Sequence, residues 1–309
     1  MDSVNTFNDP LMHITRLDQA DFHFLLKRLA KLPDSMEMIG TMPPETYKYL
    51  CVVGSRSYSS YGREVCSKLI AGLAGYPIVI VSGLAIGIDA FAHEAAIEAG
   101  LKTIAFPGSG LALAVLAPTQ NIPLARRIIE AGGTLLSPFE RNQHADFWTY
   151  PVRNKLMAGI SNVTLLIEAK DKSGSLLTVN DANEIGRPVL AVPGSIFSHL
   201  TQGPHHMIRE GATAVTCSAD ILEAMGFEVK ESADIELTKE CRNTSNNLVL
   251  FEPLLSEDEK LVISKLTAPI QRDDFIREVN LPAGYVNAVL AELELKGVIV
   301  ERQGLLMVN

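Results

Sequence analysis

"VVGSRSYSSYG", residues 52–62, is the stretch on which the fold turns. A run of β-forming residues enters a Gly-Ser-Arg turn, and a helical pattern follows. A dinucleotide site at this point would read GxGxxG, yet only Gly54 and Gly62 are glycines. Arg56 stands where such a site keeps bare backbone. A Walker A pattern with its Lys-Ser/Thr is missing too, which argues against ATP hydrolysis on a P-loop. What remains is a strand end whose turn amides and helix N-terminus attract anions. Arg56 adds a permanently charged fork suited to a phosphodiester oxygen. Its structural alternative is a pairing with a carboxylate at the sheet edge.

From residue 48 to about 226 the strand-turn-helix alternation repeats. Strands are expected at 49–54, 77–83, 102–108, 132–138, 163–169, 188–194 and 213–217. Helices are expected at 61–74, 86–100, 122–131, 175–186 and 218–226, with Gly100 closing the second of them. Continuous apolar runs of five or six residues, each followed by a helix, describe strands buried on both faces. That is the pattern of an α/β, doubly wound, mostly parallel sheet. Ligands bind such sheets outside the carboxyl ends of the strands. The special turns fall at those ends: "GSR" (54–56), "SGLAIGID" (82–89), "PGSG" (107–110) and "PGS" (193–195).

The flanks read differently. Residues 1–47 form a short segment, partly helical over 18–31 and too small to make much core alone. Residues 227–253 lose periodicity and gain Asn, Ser, Thr and charge, as a linker does. A helix at 256–266 with a serine cap and acidic first turn, two more at 272–280 and 283–297, and a hairpin at 298–308 make a winged-helix-like domain over 254–309.

The chain has 309 residues, 47% hydrophobic and 20% charged, enough for one large core and a small second domain. Its longest apolar runs fall far short of the roughly 20 residues that span a bilayer. The first residues carry acids rather than lysines and no apolar stretch, so no secretory leader is expected. Cys51, Cys66, Cys217 and Cys241 lie far apart with no CxxC pair, as in a reduced, cytoplasmic protein without structural zinc or disulfides. The net charge of −9 excludes a generic nucleic-acid coat. The charge is uneven, however: residues 51–226 carry only −1 and residues 251–309 carry −4. A local basic groove fits the centre, and the acidic end is a poor grip for phosphates.

Two further stretches seek anions. In "TYPVRNKLMAGIS" (149–161), Arg153, Asn154 and Lys155 make a donor-rich helix start, preceded by Phe147, Trp148 and Tyr150. Cations interleaved with aromatics suit a single strand, whose bases stack while its phosphates are held. The alternative is that the aromatics plug the core beneath the helix. In "KDKSGSLLTVNDANEIG" (170–186), Ser173, Gly174 and Ser175 form a strand-to-helix turn beside Lys170 and Lys172, or else a plain helix cap. Asp89 and His93, four apart on a helix and with His205 and His206 elsewhere, lack a third ligand of suitable spacing, so capping and packing explain them better than a metal. No GxSxG elbow and no hydrolase-like pair of carboxylates appears.

Together the motifs "GSR" (54–56), "VSGLAIGIDAFAH" (81–93), "YPVRNKLMAGIS" (150–161), "SGSLLT" (173–178), "GRPVLAVPGS" (186–195) and "GPHHMIREGA" (203–212) resemble those of the DNA-processing protein A family, DprA or Smf, in the same order. The resemblance covers about 48–226 and implies an extended Rossmann-like fold. It also implies a cytoplasmic, non-enzymatic homodimer that binds single-stranded DNA and helps load the recombinase RecA in natural transformation. It implies that Gly54, Ser55, Arg56, Arg153, Asn154, Lys155, Ser173, Gly174 and Ser175 line the strand-binding pocket, with Gly83 and the 107–110 turn as neighbours. No cofactor or metal is implied. The chain departs from the family at "LAPTQN" (116–121) and "LLSPFE" (135–140), both on the rim of the expected pocket.

Two other readings stand beside it. One is a nucleotide-binding sensor or phosphoribohydrolase-like enzyme on a related fold, with Glu168 or Glu184 as base. The other is an adaptor acting through the acidic C-terminal domain.

Overall fold

Tyr49–Val53 is buried throughout, and its side chains divide between two cores. Tyr49, Cys51 and Val53 belong to one, Leu50 and Val52 to the other, as the two-residue period of a strand dictates. The apolar run is therefore a strand covered on both sides. The computed structural model describes residues 9–228, 262, 265–266, 270–279, 281–295, 299–302 and 305–308. The chain forms two compact units, divided between Thr238 and Lys239.

In the first unit the elements are β1 (Thr15–Asp18), β2 (Ser35–Gly40), β3 (Lys48–Val53), α1 (Ser60–Ala71), β4 (Ile78–Ser82), α2 (Ile88–Glu98), β5 (Lys102–Ala105), α3 (Ile122–Glu130) and β6 (Thr134–Ser137). They continue with α4 (Thr149–Ile160), β7 (Val163–Leu166), α5 (Ser175–Glu184), β8 (Val189–Ala191), α6 (Gln202–Arg209), β9 (Thr213–Ala214) and α7 (Ser218–Ala224). The strands make one sheet in the order β1-β2-β6-β5-β4-β3-β7-β8-β9. From β6 to β9 every pairing is parallel. The sheet is doubly wound, with β3 at its centre and successive strands added first on one side and then on the other.

Helices α4 and α5 cover one face with Leu156, Met157 and Val179, against Cys51 and Leu166. Helices α1, α2 and α7 cover the other with Leu69, Ala92 and Ile221, against Leu50 and Leu165. Each fully buried Leu or Ile of this kind contributes about 1.5–3 kcal/mol.

The N-terminal segment differs from the expectation of a partly helical appendage. Residues 18–31 hold only two short 3-10 turns, Gln19–Asp21 and Leu26–Arg28. β1 and β2 flank them and extend the sheet antiparallel to β6, Met38 pairing with Leu136. Phe22, Leu26 and Met36 enter the same core that lies beneath α4. A segment too short for its own core is stabilised by sharing that of the sheet.

In the second unit, helices Arg272–Val279 and Ala283–Leu295 and a three-stranded sheet are described. Val286, Val289, Leu290 and Leu293 form the helical stripe that packs on Phe275, Ile299 and Leu306. The hairpin Ile299–Arg302 with Leu305–Val308 is as expected, and Ile270–Gln271 adds a third strand to it. Most of the expected 256–266 helix and nearly all of the 227–253 linker lie outside the described residues.

Candidate functional site

β4 and β7 flank β3 and are reached by connections that run in opposite directions. The loops that leave β3 and β7 therefore diverge, and a crevice opens at the carboxyl ends of the strands. A cavity of about 430 Å3 lies there, bounded by Gly54–Ser57, Asp89, Phe147, Tyr150, Arg153, Asn154, Lys170 and Lys172 through Ser175. Eight of the ten residues singled out from the sequence line it: Gly54, Ser55, Arg56, Arg153, Asn154, Ser173, Gly174 and Ser175. Gly83 and Lys155 do not.

The GSR turn is closed by its own serine. Ser55 Oγ donates to Ser57 O at 2.7 Å and accepts from Ser57 N at 3.1 Å. Gly54 is glycine because α2 packs on it: a Cβ there would stand 2.7 Å from the Ile88 side chain. Arg56, at the tip, is exposed, with its guanidinium carbon 5.1 Å from the Tyr150 ring centre. Such a stack contributes roughly 0.5–1 kcal/mol and aims the cation without neutralising it. Among the described residues no ion pair includes Arg56, Lys170 or Lys172. Among these residues the alternative of an edge carboxylate pairing is not realised.

Arg153 has a different occupation. It is 5% exposed, and its Nη1 donates to both Gly83 O and Phe106 O while its Nε donates to Asn154 Oδ1 at 2.8 Å. Gly83 must be glycine, since a Cβ would fall 1.9 Å from that Nη1. Buried Asp89 accepts from Gly83 N at 3.2 Å. Burial pushes the Asp89 carboxyl up, against the pull of Arg153, and burial pushes the Arg153 guanidinium down, against the pull of Asp89. The two hold the floor of the crevice and tie the ends of β4 and β5 to α4. Asn154 borders the cavity, and among the described residues its amide nitrogen donates no hydrogen bond.

Opposite lies the serine turn. Ser173 Oγ and Ser175 Oγ are 2.7 Å apart, and Ser175 N donates to Ser173 Oγ at 3.4 Å. The Gly174 N–H makes no hydrogen bond among the described residues. A Cβ on Gly174 would meet nothing within 4 Å, and its φ of −60° suits any residue. The protein's own packing thus gives no reason for a glycine here. With Lys170 and Lys172 exposed beside the N-terminus of α5, the turn offers an anion free amide, dipole and charge together.

Lys155 lies elsewhere. It is exposed on the far side of α4, in a separate groove with Lys31, Phe139 and Trp148. The 107–110 turn also stays outside the cavity: Gly108 backs Tyr150, a Cβ there standing 2.6 Å from the ring. Phe147 does not plug the core, the alternative for these aromatics, but is 92% exposed on the cavity rim. Tyr150 forms its wall, and Trp148 meets Phe139 edge-on with ring centres 5.5 Å apart.

Neither candidate base lines the cavity. Glu168 is buried and accepts from Ser59 N at 3.0 Å and Ser59 Oγ at 2.5 Å, clamping the start of α1. Glu184 is exposed at the last residue of α5, roughly 14 Å along the helix from the cavity end. His93 Nδ1 lies 2.7 Å from Thr103 Oγ1, and burial lowers its pKa to about 3. Among the described residues no group of three or more His, Cys, Asp or Glu is arranged for a metal.

The family model for DNA recombination-mediator protein A matches residues 13–226, and that for the DprA winged helix domain matches residues 252–304. Protein Smf of Escherichia coli is 40% identical over 225 residues, 73% of this chain and 60% of that one. DNA processing protein DprA of Streptococcus pneumoniae is 43% identical over 58% of this chain and 62% of its own. The matched stretch thus spans about three fifths of these curated relatives. The X-ray structure of DNA processing protein A from Streptococcus pneumoniae has a TM-score of 0.64 at 35% identity, over 74% of this chain and 80% of that one. A structure of DNA processing protein A from Helicobacter pylori, described for its single-stranded DNA binding mode, has a TM-score of 0.63 at 23% identity, over 70% and 97% of the two chains, a likeness of fold. With the mediator model matched across the whole described sheet, the chain belongs to the DNA recombination-mediator protein A family.

Proposed function

We propose that the crevice at the centre of the sheet binds single-stranded DNA and that the chain acts, without chemistry of its own, as a recombination mediator. On this reading it protects incoming strands and helps load RecA in natural transformation, as a cytoplasmic homodimer. The observation that carries it is the pairing of an exposed Arg56, stacked on Tyr150 and in no ion pair among the described residues, with the unused Gly174 amide across the same cavity. A mobile phosphodiester chain needs charges that the protein has left unspent, and aromatic faces for its bases. Phe147 and Tyr150 supply those faces. Arg56, Lys170, Lys172, Gly174 and Asn154 are the proposed contacts, while Arg153, Asp89 and Gly83 hold them in place. No helix of the described residues is long and apolar enough to cross a membrane.

The test is a fluorescence-anisotropy titration of labelled oligo-dT against its duplex at several salt concentrations. Single strands bind more tightly, and log K falls with log salt at about −0.7 per phosphate contact. Binding indifferent to salt overturns the proposal. Incubation with nucleoside monophosphates releases no free base; release would return the assignment to a phosphoribohydrolase.

A further inference from the structure

The groove on the other side of α4 is larger than the crevice, about 630 Å3, and nothing assigned so far uses it. Trp148 and Phe139 form an aromatic wall, Pro138 and Pro151 lie along it, and Lys31 and Lys155 stand exposed at it. Glu140 is the acid among its lining residues. The first turn of α4 separates the groove from the crevice: Phe147 and Tyr150 border one, Trp148 and Pro151 the other. Trp148 is 52% exposed although it is the largest apolar group in the region, so the fold leaves a stacking face open.

We propose that a bound strand crosses the start of α4 and seats a further base against Trp148, its flanking phosphates held by Lys31 and Lys155. This rests on the reading of the crevice as a single-strand site and extends that site to a second. Two cations beside an open indole match a polyanion with flat bases, and only the first turn of α4 stands between the groove and the proposed strand site. Position 155, named from the sequence as a strand contact, then contacts the strand here and not in the crevice.

Trp148 is the chain's single tryptophan, so its emission reports on this groove alone. The full chain is titrated with labelled oligo-dT of about 5 and about 20 nucleotides, lengths that fill one subsite or both. The long strand quenches Trp148 and the short strand does not. In Lys31→Ala the long strand loses about threefold in affinity, and in Trp148→Ala about tenfold, while the short strand binds each variant as it binds the parent. Circular dichroism checks that both variants fold. Long-strand binding seen by anisotropy with unchanged Trp148 emission overturns the groove and leaves the crevice standing. Quenching by a proline-rich peptide with no effect of the strand assigns the groove to a protein partner and overturns it as well. Absence of binding by either strand defeats the crevice reading itself.

Discussion

Arg56 and Arg153 border one cavity and are used in opposite ways. Arg153 is buried, gives its donors to Gly83 O, Phe106 O and Asn154 Oδ1, and balances Asp89. Arg56 is exposed, stacks on the Tyr150 ring and makes no ion pair among the described residues. One guanidinium builds the crevice and the other waits in it. Residue type therefore does not distinguish structure from function here; the number of donors already committed does.

The comparison breaks most visibly at Arg153. Arg153→Met leaves Asp89 buried without its counter-charge and costs about 3–5 kcal/mol of stability in urea denaturation. Adding Asp89→Asn recovers about 1–2 kcal/mol, because the stranded charge goes. A singly substituted chain of parental stability that merely loses DNA binding would place Arg153 with Arg56, and the contrast would fail.

Arg56→Ala tests the other half. Stability changes by less than about 1 kcal/mol, as for an exposed side chain in a single cation–π contact. Affinity for oligo-dT falls about tenfold, and the salt slope lessens by about 0.7, one phosphate contact on a single strand. An unchanged slope would mean that Arg56 does not meet a phosphate.

Gly174→Ala sharpens the same distinction without altering charge. The φ of −60° and the empty space around the position make the substitution neutral to stability within about 0.5 kcal/mol. A ligand that approaches this backbone meets the new methyl group, so affinity falls about fivefold. Parental affinity would show that the strand passes elsewhere.

The parallel sheet is legible in the sequence because β3 to β8 are buried on both faces and so are mostly apolar, each followed by a helical pattern. β1 and β2 left no comparable trace: β2 pairs with β6 about a hundred residues away, and "SMEMIG" is only half apolar. Residues 22, 25, 26 and 29 carry helical spacing but fold as turns, because the sheet offers them a core that a free helix would not. The "RNK" block looks in sequence like one contact surface, yet neighbours two apart on a helix point to opposite sides. Arg153 shares the buried stripe of Leu156, Met157 and Ile160, which already placed it inward and Lys155 outward. Phe147 sits just before that helix, where no periodicity operates, and its exposure was visible only in the fold.

The smallest effect concerns a carboxylate that is neither committed nor free. Asp181, half-buried on α5, has its pKa raised to about 6 by burial and by nearby Glu184, against the pull of Lys155. A folded-state pKa above the ordinary carboxylate value means that the folded chain holds this proton when the unfolded chain has released it. Stability therefore falls as pH rises from about 4 to about 6 and is level above that. Asp181→Asn removes the penalty. With the group still partly open to solvent, the gain is about 1 kcal/mol at pH 7.5, a rise of roughly 2–4 °C in melting temperature. The gain shrinks through pH 6 and is small by about pH 4.5. A variant no more stable than its parent at pH 7.5 would show that Lys155 already compensates the charge, so that this lysine too is spent within the fold.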